Sequence, residues 1–104
     1  MKAQCCANKQ LTQAFADLAK FLRIIGDDNR LKILCLLKDK ELYVDELASR
    51  LDLAQNLVSS HLRVMLDFDL ILARREGKKN YYTAHKAKFQ KYNSLLTSFL
   101  KNYE

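Results

Sequence analysis

Only two glycines, Gly26 and Gly77, and no proline interrupt the 104-residue chain. With so few breakers and no linker, repeat or low-complexity tract, the chain reads as one compact and mostly helical unit. The apolar spacing agrees. Leu11, Phe15, Leu18, Leu22 and Ile25 recur by fours and threes, which predicts a first helix over residues 9–25 that Gly26 ends. Asp27 or Asp28 can cap a second helix, NRLKILCLLK, which is apolar nearly all round and is therefore expected at the centre of the core. A charged turn at residues 38–41 leads into a short third helix over residues 44–51.

Between Leu51 and Ala54 only two residues remain before the next helical pattern, LAQNLVSSHLRVM. Two helices joined so tightly, the second with a polar outer face, form a helix-turn-helix, here placed at residues 44–65. Asp52 and Asp69 stand where a helix C-terminus needs a left-handed residue, a conformation that Asp tolerates better than most. Residues 70–84, LILARREGKKNYYTA, contain two β-prone arms around Gly77 and read as a hairpin, or wing. A last helix follows over residues 86–103, with Phe89, Tyr92, Leu96, Phe99 and Tyr103 spaced by threes and fours. The expected fold is mainly α with a small β-hairpin: a single winged helix-turn-helix domain over residues 1–104, with an extra helix at each end. Residues 1–8 are expected to form a flexible tail. The outer helices, 9–25 and 86–103, carry apolar stripes longer than the small middle of the domain can cover, so they are expected to pair with their copies in a homodimer.

The charge narrows the partner. Lys and Arg outnumber Asp and Glu by 18 to 12, a net charge of +6, which favours a polyanion: nucleic acid first, an acidic membrane surface second. The apolar runs are too short to span a bilayer and MKAQCCANKQ lacks a signal-peptide core, so a cytoplasmic protein without a membrane role is expected.

On the LAQNLVSSHLRVM helix, Gln55 and Asn56 can pair with adenine through two hydrogen bonds, while Ser59 and Ser60 can reach a base or a phosphate. Arg63 leans towards phosphate. Such side chains near the start of a recognition helix face the major groove of double-stranded DNA. His61 has two readings, a phosphate donor or a satisfied packing residue. The wing adds Arg74, Arg75, Lys78 and Lys79 against one acid, Glu76, and can follow phosphates or enter the minor groove. Tyr81 and Tyr82 are expected to anchor its return strand in the core. Nothing points to an enzyme. Ser59, Ser60 and His61 are adjacent on a helix and point in different directions, and no phosphate loop or HExxH spacing occurs.

The run DDNRLKILCLLKDKELYVDELASRLDLAQNLVSSHLRVM, followed by RREGKKNYY, resembles the ArsR/SmtB family of dimeric winged-helix repressors. The shared marks are Arg30-Leu31, Glu41-Leu42, Glu46-Leu47-Ala48, Val58-Ser59, His61-Leu62 and Gly77 followed by Tyr81-Tyr82. The resemblance implies operator DNA as partner, repression in the free state and release by an inducer. It also implies where inducers bind. The usual thiolate positions hold Tyr43 and Asp45, and the ligand positions of the last helix hold Lys86, Lys88, Phe99 and Asn102, so neither site persists in its usual form. Ala54 replaces the serine that often caps the recognition helix.

Three cysteines remain, Cys5, Cys6 and Cys35. An odd number without a secretory signal speaks for thiols or metal ligands and against a disulfide framework. Adjacent thiolates suit a soft ion such as arsenite or Cd²⁺, with Cys35 as the third ligand. No obligatory cofactor is expected. In ILCLL, Cys35 also looks like the second-helix cysteine of the family's persulfide- and redox-sensing repressors, with Cys5 or Cys6 as its partner. Beside these stand a core cysteine without a sensing role and a constitutive DNA-binding protein without an effector.

Overall fold

The computed structural model describes residues 9–104, with side chains from residue 13 onward. Helix α1 spans Lys9–Ile25, α2 Asp28–Leu37, α3 Val44–Leu51, α4 Gln55–Asp67 and α5 Lys86–Leu100, followed by a 3₁₀ turn at Lys101–Tyr103. Three strands, β1 Leu42–Tyr43, β2 Ile71–Glu76 and β3 Lys79–Ala84, form one antiparallel sheet in the order β1-β3-β2. This is the winged helix-turn-helix with a helix added at each end.

Local chemistry explains the helix boundaries. The Asp27 carboxylate accepts from the amides of Asn29 at 2.9 Å and Arg30 at 3.1 Å, satisfying donors that the first turn of α2 leaves open. At α3 the Glu46 carboxylate reaches back to the Tyr43 amide at 3.1 Å. Asp52, at φ 55° and ψ 49°, closes α3, and Asp69, at φ 60°, follows α4. Both adopt the left-handed conformation. Ala54 caps α4 without any side-chain bond. The wing turns at Gly77–Lys78 between the paired Glu76 and Lys79, with Gly77 at φ 62° in the first turn position, where a II′ hairpin needs a positive φ.

The core gathers Ile33 and Leu37 from α2, Leu47 from α3, Val58, Leu62 and Met65 from α4, and Leu70 and Ile71 at the entrance to the wing, all fully buried. Each contributes on the order of 1.5–3 kcal/mol of transfer free energy, so this centre, more than any surface ion pair, holds α3 and α4 at their fixed angle.

Four sequence expectations change. Helix α2 is not buried all round: Ile33, Leu34 and Leu37 point inward, whereas Leu31 is 49% exposed and Cys35 lies at the surface. The core-cysteine reading of Cys35 therefore fails in this chain. The inward face of α1 is Leu18, Phe21 and Ile24, and Leu22 from the expected stripe faces out. The outer helices also meet each other within the chain: the Phe21 ring stacks on Tyr92 at 4.4 Å between centroids and sits edge-on to Phe89, and Phe15 meets Phe99. Much of each stripe is thus covered without a second copy. Finally, strand β1 was not expected. Its two residues pair Leu42 with Tyr82 and Tyr43 with Tyr81, and so short a strand has no periodicity to read.

Candidate nucleic-acid interface

Helix α4 sorts its residues by angle. At about 100° per residue, Gln55, Ser59, Arg63, Asn56 and Ser60 fall within an arc of roughly 140°, and Val58, His61, Leu62 and Met65 fall within roughly 100° on the other side. Burial follows the same division. All five residues of the first arc are exposed and all four of the second are buried. The polar face is therefore open along the whole helix, starting at an N-terminus that no side chain occupies.

His61 belongs to the buried arc and does not join the exposed set. It is 9% exposed, and its Nδ1 accepts a hydrogen bond at 3.2 Å from Nε of Arg30. That bond sets the orientation of the ring, with Nδ1 as the acceptor. Of the two readings of His61, the structure supports the satisfied packing residue. The sequence held the signal, because the helical phase of His61 matches that of Val58 and Met65. Its partner Arg30 carries no such signal, since the pair spans 31 residues of sequence.

The wing stands beside this face with its four bases in unequal states. Arg74 engages Glu41 through both Nε, at 3.0 Å, and Nη2, at 2.9 Å, and reaches Glu76 through Nη1. These hydrogen bonds hold the Glu41 carboxyl below the usual carboxylate range. Arg74 thus ties the wing to the residues before β1 and presents little free charge. Lys79 lies 3.9 Å above the Tyr43 ring, a cation–π contact that leaves its ammonium open to a further anion. Among the described residues the Arg75 side chain bonds only the Gly77 carbonyl, at 3.3 Å, and Lys78 sits exposed at the tip. Tyr82 is buried as expected, whereas Tyr81 packs edge-on against Tyr43 on the opposite side of the strand. His85 carries no signal in the sequence, yet its amide and Nδ1 contact the carbonyls of Leu70 and Asp69 at 2.9 and 3.0 Å and join the start of α5 to the start of the wing.

An open polar helix face, a tight turn behind it and a basic hairpin beside it are features that suit duplex DNA. Residues 27–72 match the description of bacterial regulatory proteins of the arsR family. A curated relative, the transcriptional activator HlyU of Vibrio cholerae, is 36% identical over 75 residues, covering 72% of this chain and 69% of that one. The chain belongs to the arsR family of bacterial regulatory proteins. A second relative of this family, the arsenical resistance operon repressor of Staphylococcus aureus, is 31% identical over 74 residues and 71% of each chain. The solved structure of reduced HlyU from Vibrio cholerae superposes with a TM-score of 0.73 at 29% identity, covering 92% of this chain and 98% of that one. This arsR-family chain is a DNA-binding transcriptional regulator and not an enzyme.

Cys5 and Cys6 lie outside the described residues, and Cys35 is exposed on α2. Among the described residues no three His, Cys, Asp or Glu side chains converge as a metal site, and no helix is long and apolar enough to cross a membrane.

Proposed function

We propose that this regulator is a homodimeric repressor that reads operator DNA with Gln55, Asn56, Ser59 and Ser60, and grips phosphates with Arg63, Arg75, Lys78 and Lys79. Arg74 acts by holding the wing in place. The exposed polar arc of α4 beside the basic wing carries the reading. The dimer is supported by what the outer helices leave uncovered: Leu22, Leu100 at 53% exposure and Tyr103 at 75%. The radius of gyration points the same way, at 16.0 Å against about 13 Å for a closed domain of this length.

The inducer acts at thiols, with arsenite or Cd²⁺ bound by Cys5, Cys6 and Cys35. The residue types favour soft ions, and relatives are named for arsenical and cadmium resistance. Binding would favour a dimer geometry in which the two α4 helices no longer match half-sites about 34 Å apart. The exposure of Cys35 supports a second reading, in which persulfide or disulfide chemistry joins Cys35 to Cys5 or Cys6. Fluorescence anisotropy of the reduced protein on DNA from its own promoter separates these readings. Release by arsenite or Cd²⁺, lost in Cys5→Ser/Cys6→Ser, supports the first. Release by a persulfide donor alone, lost in Cys35→Ser, supports the second, and indifference to all of them leaves a constitutive DNA-binding protein.

A further inference from the structure

At the far end of α4 from Gln55, α1, α2 and the C-terminal half of α4 line a cleft of about 300 Å³. Lys20 and Arg23 of α1 and Arg30 of α2 line it, against one carboxylate, Asp67 of α4. Gathering three cations at one cavity is unfavourable unless something negative offsets them. Among the described residues, none of the three has a carboxylate within ion-pair distance. The wing differs in this respect, since its central base already holds two glutamates.

Arg30 is also held in place before any ligand arrives. In its half-buried position Nε donates to His61 Nδ1 and Nη1 to the Ile24 carbonyl at 3.5 Å, leaving Nη2 without a hydrogen-bond partner among the described residues. Lys20 is steadied over the ring of Phe68, a lining residue, at 5.3 Å. A fixed guanidinium and a steadied ammonium at one cavity suit a compact oxyanion with several acceptor oxygens.

We propose that this cleft binds a small free oxyanion of the phosphate or sulfate class, and that occupancy reaches the recognition helix through the Arg30–His61 bond. Val64 and Asp67 of α4 and Phe68 just past its end line it, about 13–20 Å along the helix axis from Gln55. That distance, and the Asp67 carboxylate, favour a free anion over a phosphate of the same duplex that the N-terminal half of α4 reads. The link to DNA rests on α4 reading the operator, whereas binding of the anion does not, so the two are tested apart.

The test uses the reduced full-length chain, ¹⁵N-labelled, titrated with inorganic phosphate and with chloride at matched ionic strength. Phosphate is expected to give saturable shifts at the amides of Lys20, Arg23, Arg30 and Asp67 and in the His61 ring. Lys20→Gln/Arg23→Gln, which alters only exposed side chains, is expected to weaken that binding at least tenfold without loss of the native spectrum. Shifts that chloride reproduces, or that fall equally on Arg75 and Lys78, would overturn the site. Anisotropy on promoter DNA then distinguishes the source of the anion. An unchanged salt dependence in the double variant supports a free ligand. A slope of log K against log salt reduced by about two, without saturable phosphate binding, would assign the cleft to the DNA backbone and overturn the proposal.

Discussion

Helices α2 and α4 both cross the core, and both leave one face in water, but the two faces differ in kind. Helix α4 exposes amides, hydroxyls and a guanidinium, groups that solvent satisfies and a base edge can replace. Helix α2 exposes Leu31 and Cys35, four residues apart on one face, where water gains nothing. A polar exposed face is stable in the free protein and loses little on exchanging water for DNA. An apolar one with a thiol is suited to packing or sulfur chemistry. On the proposed function, this difference suits α4 to DNA reading and α2 to thiol chemistry.

The largest expected effect separates the inside of α4 from the outside of α2. Leu62→Ala should lower unfolding stability by about 2–5 kcal/mol, while Cys35→Ser should stay within about 0.5 kcal/mol, as checked by urea denaturation. Equal effects would mean that Cys35 is buried in solution. Next comes the polar arc. Asn56→Ala should weaken operator binding by about 1–3 kcal/mol and relax base preference without altering the salt slope, whereas Lys78→Gln should lower that slope by about one. Anisotropy across a salt series reads both.

Smaller effects concern the helix ends. Asp27→Ala should cost α2 about 1 kcal/mol and Asp27→Asn much less, and Ala54→Ser should return a similar amount to α4, read as shifts in the urea midpoint. The hydrogen bond from the Arg30 amide, against a burial effect of opposite sign, holds the Asp27 carboxyl below its ordinary 3.8. A carboxyl lowered by folding stabilises the fold above its unfolded value, so this contribution should be complete at neutral pH. It should disappear as the pH falls below about 3.8 through the folded value, and Asp27→Asn should remove that part of the acid dependence. The smallest effect expected is for Glu41→Gln, which leaves Arg74 freer to meet phosphate and should steepen the salt slope by no more than about one.

What the sequence determined by itself was whatever depends on neighbours along the chain. The 3.6-residue period placed the helices, the gap after Leu51 made the helix-turn-helix, Asp52 and Asp69 marked the left-handed ends, and Gly77 marked the hairpin. The exposed arc of α4 was legible for the same reason, since helical phase alone separates Ser59 from Val58. Tertiary structure decided what depends on distant partners. His61 could be a donor or a packing residue until Arg30, 31 residues away, supplied its bond. Helix α2 looked wholly buried because composition records how apolar a helix is, whereas burial depends on how many neighbours the fold has to place around it. Five helices and a small sheet leave Leu31 half exposed and Cys35 at the surface, and that shortage of cover puts a thiol on the outside of a helix built largely from core residues.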